Sequence, residues 1–225
     1  MIFDEFDKIR IVSLPERKDR RRQMRGQLAT VGLADDPRVA FFDAYRFNNP
    51  GIFRSAGSRG CFTSHSAIIS LSATLGESVL ILEDDCDFLP AARTYQSDGQ
   101  WDVFYGGYMA SDMAKPQNCD IIGSHFMGLS ASAAKKAAAY FACYPDPDFP
   151  PDERSASEPG FNPNVRPGTD GAYVWFRRAH PELRAEFSML SKQRSSRTDI
   201  GKLKWFDRAP VVRELAALAR SLKGG

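Results

Sequence analysis

The chain has 225 residues, 43% of them apolar and 26% charged, with 30 Lys and Arg against 28 Asp and Glu. That balance suits one medium-sized α/β domain, or one domain with a short helical tail, and excludes a chain disordered by composition. A net charge of +2 gives no general footprint for nucleic acid, which is not expected as a partner. Four cysteines, Cys61, Cys86, Cys119 and Cys143, fit no CxxC or Cys/His zinc spacing. Met1 to Arg10 carries acids where a signal peptide carries bases, and no run approaches the roughly 20 apolar residues of a membrane span. The expectation is a cytoplasmic protein with reduced thiols.

In chain order, Ile9 to Leu14 reads as a buried strand. Pro15 then opens a helix with Met24, Leu28 and Val31 on one face, stopped by Gly32. Val39 to Phe42 reads as a second strand and Tyr45 to Arg59 as a loop rich in Gly, Asn and Pro. A helix is expected from about Ser64 to Leu75, with Ile68, Leu71 and Leu75 inward and Gly76 as its stop. Val79-Leu80-Ile81-Leu82 is a continuous apolar run, as in a central parallel strand. Trp101 to Tyr105 reads as a strand ended by Gly106-Gly107, Ile121 to Leu129 as another, and Ser130 to Cys143 as an Ala-rich helix. Tyr144 to Gly168 is a long break holding half of the 14 prolines, expected to be a mobile segment near the site. A helix over Asp170 to Arg178, a short strand over Phe187 to Leu190 and an amphipathic helix over Pro210 to Leu222 complete the chain. The division drawn is a domain over 1–208 and a C-terminal helical extension over 209–225.

Glu83-Asp84-Asp85 falls at the C-terminal end of the Val79 to Leu82 strand, the place where open α/β sheets bind ligands. Three adjacent carboxylates after a buried strand repel one another and resist ionisation, and a divalent cation removes that cost. Carboxylate oxygens suit the hard cations Mn2+ and Mg2+, which bridge to phosphates. Glu83 and Asp85, two residues apart, reach one side of an extended backbone, and Asp84 the other unless the chain turns there. A solvated strand end is the bland alternative.

Gly60-Cys61-Phe62-Thr63-Ser64-His65, a helix, and then Val79 to Asp85 closely resemble glycosyltransferase family 25, whose pattern is a G-C-x-x-S-H helix start followed by a strand ending in E-D-D. Ile11 to Arg20 resembles the family's first strand and Arg-containing turn, with Ser13 where the family usually has Asn. Trp101-Asp102, Gly123-Ser124-His125, Thr169-Asp170 and Gln193 to Ile200 resemble its W-D, G-T-H, V-D and Q-x-x-x-S-D-I segments in order, with a longer Pro-rich stretch before Asp170. The resemblance spans about residues 9–200. It implies a GT-A-like fold, a Rossmann-type mixed sheet flanked by helices. It also implies inverting transfer from a UDP-sugar, often UDP-galactose, to a saccharide or lipid-linked glycan acceptor of lipopolysaccharide or other cell-surface polysaccharide.

On that reading Asp85, with Glu83 or Asp84, holds Mn2+ or Mg2+. Asp170 is the catalytic base, with Asp152 and Glu153 as rivals and a helix N-cap as its structural alternative. His65 and Ser64 stand at a helix start near the donor, His65 either contacting phosphate or holding the turn; His125 is weighed below it, and His180 reads as surface. Arg17 and Arg20, after the first strand, and Gln193 with Arg194 (and Arg197 beyond) reach the donor diphosphate. The basic run Arg17 to Arg25 is otherwise a solvated face, or a contact with the anionic inner face of a membrane. Trp101 and Tyr105 read as core. A non-catalytic nucleotide-sugar-binding or scaffold protein of the same fold is the competing reading.

Overall fold

The computed structural model describes residues 1–194. The expected C-terminal helix, the division at 208/209 and Arg197 lie outside the described residues.

The apolar runs become a six-stranded sheet in the order β2-β1-β3-β8-β5-β9. Its strands are β1 (Lys8–Ser13), β2 (Val39–Asp43), β3 (Val79–Glu83), β5 (Val103–Tyr105), β8 (Phe126–Leu129) and β9 (Ala185–Phe187). β1 pairs parallel with β2 and β3, β5 pairs parallel with β9, and β8 runs antiparallel between β3 and β5. The expected mixed α/β sheet flanked by helices is therefore what the chain forms. Side chains alternate between its two faces, as strand geometry requires. Val79, Ile81, Val103, Tyr105, Met127 and Leu129 enter one core, and Leu80, Leu82, Phe104 and Phe126 enter the other. The first core is closed by α2 (Ala56–Leu75), α3 (Ala131–Cys143) and α5 (Thr169–Ala179), the second by α1 (Lys18–Thr30) and the N-terminal turn at Ile2–Glu5. Met24, Leu28 and Val31 are buried as the spacing predicts, and Gly32 follows at φ +78°.

Several expectations are corrected. The helix expected from Ser64 starts at Ala56, capped by Ser55, whose side chain accepts from the Ser58 N–H. The glycines that suggested a loop serve contact instead: a Cβ on Gly60 would overlap the carbonyl oxygen of Tyr45. The buried stripe of α2 is Phe62, His65, Ile69 and Ser72, with Ile68 beside it, whereas Leu71 and Leu75 are 51% and 57% exposed. The single strand expected over Ile121 to Leu129 is split into β7 (Ile121–Ile122) and β8 by Gly123, at φ +122°, Ser124 and His125. β7 pairs with β6 (Met109–Ala110) in a hairpin that periodicity did not indicate. The strand expected over Phe187 to Leu190 falls on the end of β9 at Phe187 and on the link from there to β10 (Ser191–Gln193). β10 pairs antiparallel with β4 (Cys86–Phe88), the short strand directly after the acidic triplet.

The Pro-rich segment is anchored. Arg166, 1% exposed, donates to the carbonyls of Asp146 and Phe149, and its own N–H bonds Ile52. Ser155, in α4 (Glu153–Ala156), accepts from the Trp175 indole, and Asp152 accepts from Arg178.

Candidate functional site

The C-terminal ends of β1, β3 and β5 and the start of antiparallel β8 share one edge of the sheet. Glu83 ends β3, and the chain turns at Asp84-Asp85 before β4. The backbone is fixed on three sides: Glu83 N–H donates to the His125 carbonyl, Asp84 N–H to Val12, and Arg194 N–H to Asp85. Because the turn begins at Asp84, the expected pairing of Glu83 with Asp85 on one side is replaced by two environments.

Asp84 and Asp85 face α1. Asp84 accepts from Ser13 Oγ at 2.7 Å and from an Arg20 guanidinium nitrogen at 2.8 Å, and the same nitrogen lies 3.6 Å from Asp85. Arg20 sits on the inward face of α1, so a buried guanidinium compensates the buried carboxylates. Gln193, on β10, reaches Asp85 at 3.4 Å. Burial still outweighs Arg20 and pushes the Asp85 carboxyl above the ordinary carboxylate range.

Glu83 faces the core. Its Oε1 accepts from Ser124 Oγ at 2.8 Å, lies 3.8 Å from Cys61 Sγ and lies 3.7 Å from His65 Nε2. Burial, and then the charges of Asp85 and Asp170, push Glu83 up to about 8. Asp170 comes from the first turn of α5; burial raises it, and the neighbouring Ser124 hydroxyl and Gly123 N–H partly offset that. Ser124 has one hydroxyl proton, so it can donate to only one of the two carboxylates at a time. His65 is fully buried, its Nδ1 lies 3.1 Å from Tyr173 Oη, and burial lowers it to about 3. It is therefore neutral at pH 7.

The sheet edge thus gathers Arg20, Glu83, Asp84, Asp85, Gln193 and Asp170, with His65 behind Glu83. Asp170 is not the helix cap: Gly168 holds that position, and Thr169 Oγ1 instead meets Cys61 Sγ at 3.0 Å. The other expected donor contacts fare differently. His65 and Ser64 lie in the third turn of α2, away from the orphan N–H groups at its start, so the expected aid from the helix dipole is lost. Ser64, fully buried, accepts from Tyr45 N–H and donates to Gly60, which fixes the preceding loop. Arg17 forks onto Asp19 at the start of α1, and Arg194 pairs with Asp87 and with Gln23. Asp152 caps α4 and bonds Arg178, and Glu153 follows it in that helix. Trp101 and Tyr105 are 8% and 1% exposed, as core readings require.

Sequence reasoning gave no role to Cys61, Ser124, Thr169 or Tyr173, although the first three stand inside the motif blocks. The signal was present in Cys61 and His65, which are four apart and so share a helix face; it needed Glu83 opposite to acquire meaning. Ser13 was noted only as a substitution, yet it holds Asp84.

No protein-family profile matches the chain, and no curated protein matches it. Among solved structures, it is similar to a glycosyltransferase involved in the glycosylation of the major capsid of PBCV-1, with a TM-score of 0.47 and 14% identity over 81% of this chain and 82% of that one. It is also similar to mouse xyloside xylosyltransferase 1 in its apo form, with a TM-score of 0.39 and 10% identity over 82% and 84%. What defines the class is the chain itself: a mixed α/β sheet with an acidic, largely buried site at the C-terminal ends of its parallel strands. The function is argued from that site's own residues.

Proposed function

We propose that the chain is an inverting glycosyltransferase, moving a sugar from a UDP-sugar to a glycan acceptor of lipopolysaccharide or cell-surface polysaccharide. Galactose is the sugar that the motif resemblance favours. The observation that carries the reading is the meeting of Glu83, Asp84 and Asp85 with Asp170, which lies 85 residues beyond Asp85, at the sheet edge where ligands bind.

The donor set fits a hard divalent cation. Asp85 is incompletely compensated by Arg20, and its raised proton affinity is the cost a cation would remove. Mn2+ or Mg2+ on Asp85, with Asp84 rather than the inward-facing Glu83, would neutralise charge on the departing diphosphate. Asp170 takes the proton of the acceptor hydroxyl as that oxygen bonds the anomeric carbon and the carbon–diphosphate bond breaks. The Gly123 N–H and Ser124 lie beside its carboxylate and favour its charged form. Arg20 offers fixed positive charge beside the diphosphate, and Gln193 and Arg194 border it. The acceptor is saccharide or lipid-linked, which would place a cytoplasmic protein at the inner face of a membrane. Among the described residues no helix is long and apolar enough to cross one.

The test is a UDP-sugar panel assayed for hydrolysis and transfer with and without Mn2+, together with calorimetry. Manganese-dependent turnover is expected; no calorimetric binding of any common UDP-sugar overturns the reading. One observation favours a second reading, a non-catalytic nucleotide-sugar-binding or scaffold protein: Arg20 already pairs with Asp84 and, more distantly, with Asp85, balancing part of their charge without a metal. Normal turnover that Asp85→Ala abolishes would dismiss that alternative.

A further inference from the structure

The orphaned nitrogen of His65 has a consequence separate from sugar transfer. Nε2 is buried, has no hydrogen-bond partner, and is aimed at Glu83. A buried ring nitrogen left without a partner is costly, so its persistence calls for an occupant. At 3.7 Å the Glu83 carboxylate is too far to be a direct hydrogen-bond acceptor. Cys61 Sγ completes a triangle: Sγ, Nε2 and Oε1 lie within 4.8 Å of one another, with Sγ to Oε1 at 3.8 Å.

We infer that Cys61, His65 and Glu83 form a binding site for one borderline-soft divalent ion of the Zn2+ or Co2+ type. Tetrahedral zinc with sulfur, nitrogen and oxygen ligands sets neighbouring ligand atoms about 3.4–3.6 Å apart, so the Glu83 edges need only a small contraction. Each ligand also has the supporting partner such sites use. Tyr173 Oη holds His65 Nδ1, which leaves Nε2 free for the metal; Ser124 holds Glu83; Thr169 holds Cys61. The charges balance: a dication with one thiolate and one carboxylate is neutral, which suits a site inside the protein. Thiolate and imidazole select zinc-like ions over Mg2+ and Mn2+. The site is thereby distinct from the oxygen-only position at Asp85, and Glu83 belongs to the inner group. On binding, the Cys61 thiol and the Glu83 carboxyl lose any protons they carry to solvent, and no oxidation state changes.

The experiment uses the full chain, stripped with chelator and titrated anaerobically with Co2+. Expected are one equivalent bound, a thiolate-to-cobalt charge-transfer band in the near ultraviolet, displacement of that band by Zn2+, and its loss in Cys61→Ser. Asp85→Asn keeps the band, and so does a chain with Cys86, Cys119 and Cys143 changed to Ser. Should Cys61→Ser not fold by circular dichroism, the wild-type chain supplies the readout: Zn2+ should slow iodoacetamide alkylation of Cys61, mapped by mass spectrometry, at least tenfold. No stoichiometric band, a band that survives in folded Cys61→Ser, or unchanged alkylation of Cys61 overturns the inference. None of these readouts depends on sugar transfer, so the two proposals fail separately.

Discussion

At the scale of single residues, the site stores electrostatic cost that a few hydrogen bonds offset. Ser13 Oγ donates to the buried Asp84, which also pairs with Arg20, and hydrogen bonds within such charged pairs contribute about 1.5–3 kcal/mol. Ser13→Ala should lower unfolding free energy in urea by about that amount, with the m-value unchanged. Glu83 gives a prediction in pH. Its folded pKa, about 8, lies above the ordinary value of 4.5, so the folded state binds more protons between those values. The Glu83 contribution to stability in the metal-free protein should therefore fall as pH rises from 4.5 towards about 8. Burial of neutral His65 and His125, lowered to about 3 and about 4, contributes the opposite slope below 6.5, so the Glu83 decline is read between pH 6.5 and 8. Thermal melts there should show stability falling in the wild type and less so in Glu83→Gln. An identical pH slope in the two proteins over that range would show that Glu83 is ionised in the folded protein.

At the scale of elements, α2 joins the loop before it to the core beneath it. Gly60 lies against the Tyr45 carbonyl, and Ser64 bonds Tyr45 from the other end. Gly→Ala in an open helix stabilises by about 0.5–1 kcal/mol. Here the added methyl must displace backbone, so Gly60→Ala should instead destabilise by roughly 1–3 kcal/mol. Gly26, in α1 with nothing near its Cβ position, provides the contrast: Gly26→Ala should raise the urea midpoint. Equal shifts in the two variants would contradict the close approach at Gly60. The motif around α2 was legible in the sequence, but its role was misread. The G-C-x-x-S-H stretch reads as a helix start from the family pattern and the Gly-, Asn- and Pro-rich loop before it; in the structure it lies mid-helix, where Gly60 is required by close contact.

At the scale of the whole molecule, the Pro-rich 144–168 segment closes the lower side of α5 and α3. Arg166 is its main tie, bonding two carbonyls and lying over the Tyr144 and Trp175 rings. Arg166→Ala leaves those carbonyls without their donor and should release the segment. Limited proteolysis between residues 145 and 165 should accelerate several-fold, while the β-sheet signal in circular dichroism stays constant. Unchanged cleavage would show that the prolines hold the segment without Arg166. These anchoring contacts run to α5, to Ile52 and to Asn118.

The sequence by itself determined the α/β class, the core strand Val79 to Leu82 and the position of Glu83-Asp84-Asp85 at its end. All three follow from local pattern: a continuous apolar run must be buried on both faces, and polar residues must appear where it leaves the core. It also singled out Arg20, by its place after the first strand, and Asp170, through the family resemblance. Only the tertiary structure decided how the acids divide. Asp84 and Asp85 turn to Arg20 on α1, while Glu83 turns inward to Cys61, His65 and Ser124. That division depends on a turn one residue after the strand and on helices packed from opposite faces of the sheet. Contacts between residues 64 and 108 positions apart are set by packing, and local periodicity holds no record of them.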